Sequence, residues 1–202
     1  MRLISALTAV AVLWACRPAP EPSARTSGAV PAGAAVVDSA IAREEALRRF
    51  RQEIPPVDTL TGGADSRDAL VRQFVAAVET ADTGALRRLL MTRQEFAWIY
   101  YPDNPQGLPP YDLSPGLLWF LLDNRGAIGL SHLMQERVGT PLQYVQYQCD
   151  SLPSVEGENR VWGPCVMARR QAGGDLLLER LFGPILERRG RFKFVNYANK
   201  LD

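Results

Sequence analysis

The chain has 202 residues, 47% of them hydrophobic and 22% charged, with a formal net charge of +1. That length holds one ordinary domain plus extensions, and the composition is that of neither a disordered nor a fibrous chain. Arginine supplies every basic residue except Lys193 and Lys200, and no basic block is longer than a pair, so the concentrated positive excess of a nucleic-acid binder is missing.

Arg2 is followed by uncharged residues 3–15 and then by Cys16. A helix of that length reaches about 20 Å, against roughly 30 Å of bilayer hydrocarbon, so residues 1–15 read as a signal peptide and not as a membrane span. Leu13-Trp14-Ala15-Cys16 resembles the lipobox of bacterial lipoproteins, although Trp14 is bulkier than that slot usually holds. The resemblance implies that Cys16 is lipidated and becomes the first mature residue. By the same resemblance, Arg17 after it implies the outer membrane, facing the periplasm. The alternative is an ordinary secretory peptide that happens to contain a cysteine.

Residues 16–64 read as a tether. Its first half is rich in Ala, Pro, Ser and Gly and buries little. Asp38-Ser39 can cap a short helix over residues 40–54, with Glu44 and Glu45 placed four residues before Arg48 and Arg49. Its apolar stripe of Ile41, Leu47, Phe50 and Ile54 is thin, so the helix either docks on the domain or only stiffens the stalk. Pro55-Pro56 ends it, and residues 57–64, with Gly62-Gly63, read as a loose second linker.

The globular domain is expected over residues 65–202. Leu70, Phe74, Ala77, Val78 and Ala81 recur at helical spacing after the N-cap candidate Ser66. Asp82-Thr83-Gly84 punctuates that helix, and Leu86, Leu89 and Leu90 restart an apolar face. Thr92-Arg93-Gln94-Glu95 reads as a capping box launching a short aromatic helix that Pro102 stops. Residues 96–120 hold seven of the seventeen aromatics (Phe96, Trp98, Tyr100, Tyr101, Tyr111, Trp119 and Phe120) around a stiff proline-rich loop. Loops of that length are usually binding elements, lids or wraps. A helix opens at Ser114-Pro115, is apolar all round over residues 117–122 and should therefore be buried. Gly126 is expected to break it, and residues 128–138, carrying His132, to resume as an amphipathic segment.

After Gly139 the period becomes that of strands. Residues 143–149 form the first, and residues 150–160 a polar loop. Residues 161–168 follow, with Pro164 marking a bulge or an edge. Residues 176–182 and 185–188 are divided by Gly183-Pro184, and a last strand spans residues 191–197. In an oxidising compartment Cys149 and Cys165, each on a strand, read as a disulfide closing a loop worth about 3 kcal/mol in chain entropy. The rivals are two buried free thiols or a metal site. Metal is disfavoured because His132 is the only histidine and no C-x-x-C occurs. No cofactor is implied.

Helices followed by antiparallel strands make an α+β layout. The opening helix pair joined at Asp82-Thr83-Gly84 and the closing hairpin resemble the nuclear transport factor two-like superfamily, including SnoaL-like domains, over residues 65–202. That resemblance implies N-terminal helices packed on a curved antiparallel sheet, a cone-shaped, cystatin-like roll with a cavity. Some members are isomerases or dehydratases, and others only bind or dimerise, so the fold alone selects no function. The leading expectation is a non-catalytic module of the cell envelope that binds a small apolar ligand or a protein. Its preferred site is the aromatic cluster, with Trp98, Tyr100, Tyr101, Tyr111 and Trp119 as contacts. The second is a small cofactor-free acid–base enzyme using a tyrosine such as Tyr101 with His132, Asp103 or Asp112; Asp123, Tyr100 and Tyr111 are further candidates. The third is a structural subunit that forms a homodimer. On the bland side, His132 reads as an ordinary helix histidine, Asp103 and Asp112 as turn formers, and the aromatics as core.

Overall fold

The computed structural model describes residues 41–198. The expected signal peptide, the lipidated Cys16 and the Ala/Pro-rich part of the tether lie outside the described residues.

The chain enters on α1 (Arg43–Phe50), which docks instead of standing free. Its buried Leu47 joins Leu60, Phe96 and Leu118 in one apolar cluster, and its Arg43 donates to the carbonyls of Tyr101, Pro102 and Gly107. Residues 57–64, expected as a loose linker, are laid against the domain: Leu60 and Ala64 are buried, and Ala64 pairs with Phe192 through two backbone hydrogen bonds. Gly63, at φ +63°, permits that approach, because a side chain there would collide with the Phe192 carbonyl. Among the described residues, those before Asp65 therefore belong to the same compact unit as those after it.

α2 (Arg67–Glu79) starts where Ser66 Oγ accepts from Ala69 N–H, and it buries Leu70, Val71, Phe74, Ala77 and Val78. Ala81, expected on that stripe, is instead exposed in the turn at φ +57°. Asp82 then caps α3 (Thr83–Arg88). The capping box at Thr92 and Glu95 is formed around α4 (Arg93–Glu95), which runs on as a π-helical turn (Phe96–Tyr100) and a 3₁₀ turn (Tyr101–Asp103).

α5 (Pro115–Glu136) is one unbroken helix of 22 residues, so Gly126 does not interrupt it. Gly126 and Gly129 face the end of the chain, and a Cβ on Gly129 would lie 2.6 Å from the Ala198 carbonyl oxygen. Nor is the apolar start of α5 enclosed. Leu118 and Leu122 are buried, whereas Leu117 and Phe120 are exposed, as are Ile128 and Met134 further on. The helix packs by one stripe only, and its open face mixes these apolar residues with Asp123, Asn124, Arg125, Ser131 and Gln135.

The strands make two antiparallel sheets that do not close into a barrel: β1-β4-β5 and β2-β3-β6-β7. Three of the strands are bent rather than simple. β1 (Tyr144–Cys149) leads into β2 (Ser154–Glu156), β3 (Asn159–Trp162) into β4 (Cys165–Arg170), and β5 (Leu176–Glu179) into β6 (Ile185–Arg188), with β7 (Arg191–Phe194) last. The pairings β1–β4 with β2–β3, and β4–β5 with β3–β6, are those of one meander whose strands all break at the same level. Pro164 and Pro184 sit at two of those breaks, where a missing N–H interrupts the ladder. The expected polar loop over residues 150–160 thus contains β2 and a hairpin turn at Gly157, and the expected strand over residues 161–168 is two strands in different sheets. Cys149 and Cys165 are register partners on β1 and β4 and are joined as a disulfide.

Phe74 stands at the centre of the larger core, with ring centroids 5.4 Å from Phe182, 5.6 Å from Phe194 and 5.5 Å from Tyr197. Aromatic pairs at such separations add to area burial. The second core, around Phe96, lies between α1, the π turn, α5 and the back of β6 and β7.

Candidate functional site

A groove of about 380 Å³ runs between α5 and the segment joining α3 to α4. That volume falls within the roughly 300–1,000 Å³ of ordinary ligand sites. Trp119, Leu122, Asp123, Gly126, Ala127 and Leu130 form one wall at three- and four-residue spacing. The facing wall runs from Arg87 through Leu90 and Met91 to Arg93, over a floor of Val195 and Asn196. Met91 N–H donates to the Phe194 carbonyl and Phe194 N–H to that of Leu89, so the end of β7 fixes this wall. Trp119 is held by Phe96 at 5.3 Å between centroids.

Charge sits at the rim. Arg93 stands over the Phe50 ring at 4.8 Å. Arg87 and Asp123 form no ion pair, and the Asn196 side-chain amide makes no hydrogen bond, among the described residues. No Cys, Ser, His or Tyr lines the groove, and the Thr92 hydroxyl at its edge already accepts from Glu95 N–H. The arrangement offers an apolar trough with guanidinium, amide and carboxylate groups at its margin, which suits recognition.

A second polar cluster lies inside the fold. Glu156 on β2 is buried and accepts from Asn104 Nδ2 at 3.1 Å and Ser154 Oγ at 3.3 Å. Burial raises its carboxyl above the ordinary range, opposed by those two hydrogen bonds and reinforced by nearby Asp103. Tyr100 is buried beside it, and burial and the Glu156 charge push its hydroxyl upward as well. Neither side chain lines the α5 groove. The cluster fastens the β2–β3 hairpin to Asn104 at the end of the 3₁₀ turn, and Asn159 fastens it to the π-helical turn by donating to the Ile99 carbonyl at 2.8 Å.

The residues picked out from sequence are dispersed. Tyr101 is fully buried and its hydroxyl donates to the Leu113 carbonyl at 2.9 Å, tying down the proline-rich loop. Asp103 and Asp112 are exposed, one on the 3₁₀ turn and the other at φ +46° in the loop. His132 lies half-buried near the far end of α5, about 25 Å of helix from Asp112 at 1.5 Å per residue. Of these groups Asp112 lies near enough to Tyr101 for its charge to add to the upward shift that burial gives the hydroxyl, while His132 stands apart on α5. Among the aromatic candidates, Trp98 donates its indole N–H to the Ile54 carbonyl at 3.0 Å beneath the Arg51 guanidinium, securing the chain after α1. Tyr100 and Tyr101 are core, Tyr111 is exposed, and Trp119 alone of the five lines the groove. Asp123, weighed as a possible base, lies on the same wall. Sequence reading missed Arg87, Arg93 and Asn196, which carry no local signal: they look like solvated charges and a strand-end amide until α5 is folded over them.

Comparisons with protein-family models, curated proteins and solved structures found no match.

Proposed function

We propose that the chain is an exported, lipid-anchored module of the cell envelope, held at the outer membrane through Cys16, that binds a small ligand without transforming it. The α5 groove carries this reading, since it is open, mostly apolar and ringed by groups suited to recognition. The buried carboxylates Glu95, Glu156 and Glu179 are all committed to internal partners and none of them lines it. Export is supported by the Leu13-Trp14-Ala15-Cys16 pattern and by the Cys149–Cys165 disulfide, a bond that persists in oxidising compartments. Membership of the nuclear transport factor two-like superfamily is part of the proposal. The order of α2 and α3 before a sharply bent meander favours it, and the long α5 is the departure from it.

The acid–base reading keeps one specific observation in its favour, the pairing of Glu156 with Tyr100. It would need a substrate to reach a cluster that is closed on the protein side. The groove is tested by comparing solvent extracts of the purified full chain and of Ala127→Trp, whose indole would fill the trough. A compound that co-purifies with the wild type and not with the variant supports ligand binding; identical extracts overturn it. Separately, Cys16→Ser should move the protein from the membrane to the soluble fraction, and retention in the membrane would refute the anchor.

A further inference from the structure

The geometry points to an amphiphile with an anionic head as the occupant of the α5 groove, its apolar body along Leu130, Leu122 and Trp119 and its head at Arg87 and Asn196. This rests on the reading of the groove as a ligand site and adds the chemical class. Three observations carry it. First, apart from Thr92 and Asp123 the walls are aliphatic or aromatic, which an unbranched or flat apolar body matches and a sugar or a nucleotide does not. Second, the Tyr197 hydroxyl donates to the Leu86 carbonyl at 2.6 Å, tying the residue after Asn196 to the residue before Arg87, and Asn196 packs on Gly126, where a Cβ would lie 3.6 Å from its own. Asn196 therefore sits seven residues along α5 from Trp119, and the head is placed on that side, with Arg87 of the facing wall. Third, both of these groups are without a side-chain partner among the described residues. A guanidinium is permanently charged and donates in a planar fork, and an amide adds two donors, so together they match a carboxylate or a phosphate oxygen pair. Arg93 is already stacked on Phe50 and so is less free to follow a ligand. Asp123, on the opposite wall, opposes an anion and disfavours a head placed midway along the trough.

The test uses the full chain carrying Cys16→Ser, so that no lipid anchor competes for the probes. Three probes share one C12 chain: laurate, dodecanol and dodecyltrimethylammonium, each titrated calorimetrically below its micelle concentration. Laurate should bind at least about tenfold more tightly than the cationic probe, the scale of one charge-assisted hydrogen bond. Arg87→Gln should erase that preference and leave dodecanol binding unchanged, whereas Asp123→Asn should tighten laurate. Ala127→Trp should abolish all three. Arg87, Asp123 and Ala127 are all exposed, so these variants should keep the fold. Equal binding of the three heads, or a preference that survives Arg87→Gln, overturns the anionic head and leaves the groove as a ligand site. If no probe binds, or if Ala127→Trp binds as the wild type does, both readings fall.

Discussion

Lys193 on β7 and Glu95 on α4 are each only 1% exposed, and the ion pair between them is closed on every side. Lys193 Nζ lies 2.9 Å from Glu95 Oε2 and 2.8 Å from the Thr61 carbonyl, while Glu95 also accepts from the backbone N–H groups of Thr61 and Thr92. Breaking a buried pair from one side strands a charge, at a cost of about 3–5 kcal/mol, whereas removing both charges is often neutral. Lys193→Met should therefore lower the urea midpoint sharply, and adding Glu95→Gln should recover most of the loss. Equal midpoints for Lys193→Met and the wild type would refute this. Glu156 gives a pH-dependent counterpart. Its carboxyl is raised above the ordinary carboxylate range by burial, so the folded chain holds that proton more tightly than the unfolded one. The stability so gained is full below the unfolded pKa and is lost as pH rises through the folded one. Glu156→Gln, always neutral, should gain on the wild type in unfolding free energy as pH rises above the ordinary carboxylate range. A pH-independent gap would show that the carboxylate is not penalised by burial. Of these two sites only the capping-box half of Glu95 was legible in the sequence. The other half depends on Lys193, 98 residues away, and no periodicity reports a contact of that span.

Elements were legible where a single side chain starts them. Ser66, Asp82, Thr92 and Ser114 each satisfy backbone N–H groups two or three residues ahead, a relation that needs no tertiary context. The cysteine pair was legible because the expected export and the strand placement both constrain it. The course of α5 was not, because glycine reads locally as a breaker while here it is a packing residue. Gly129 admits the chain at Tyr197 and Ala198, whereas a Cβ on Gly126 would meet the Asn196 Cβ at 3.6 Å, an ordinary contact. The two glycines should respond with opposite signs to the same substitution. Alanine is the better helix residue by about 1 kcal/mol. Gly126→Ala should stabilise by up to about that amount, whereas Gly129→Ala should destabilise because the gain is overridden by collision with backbone. Thermal unfolding of the two variants would settle it, and a stabilised Gly129→Ala would show that the chain end yields easily. The bent strands escaped notice for a related reason. A proline between two β-rich runs is equally compatible with a bulge, an edge and a corner, and only the cross-strand register distinguishes them.

At the scale of the whole molecule, the stretch before Asp65 is where local reading and tertiary structure part most clearly. Its sequence is thin in apolar residues, so a stalk was the natural inference, yet among the described residues most of them are used, Ile41 alone of the larger ones standing well exposed. Leu47 and Leu60 enter the Phe96 core, Ala64 adds a bridge to β7, and Thr61 supplies two of the contacts that close the Lys193–Glu95 pair. Two arginines at the ends of α1 work at a distance from it: Arg43 reaches three carbonyls around the 3₁₀ turns, and Arg51, just past its last residue, donates to the Ala97 carbonyl at 2.8 Å. A chain beginning at Asp65 would expose the faces that Leu47 and Leu60 cover, about 1.5–3 kcal/mol each by the usual burial figure, and would admit water to a buried ion pair. Residues 65–202 should therefore melt well below residues 41–202, and Glu95 and Lys193 should lose most of their influence on stability in the shorter chain. If the two melt together, the N-terminal segment only rests on the surface and a domain boundary at Asp65 stands. If the shorter chain melts lower but Lys193→Met still costs it as much as it costs the longer one, Leu47 and Leu60 supply the coupling and Thr61 does not.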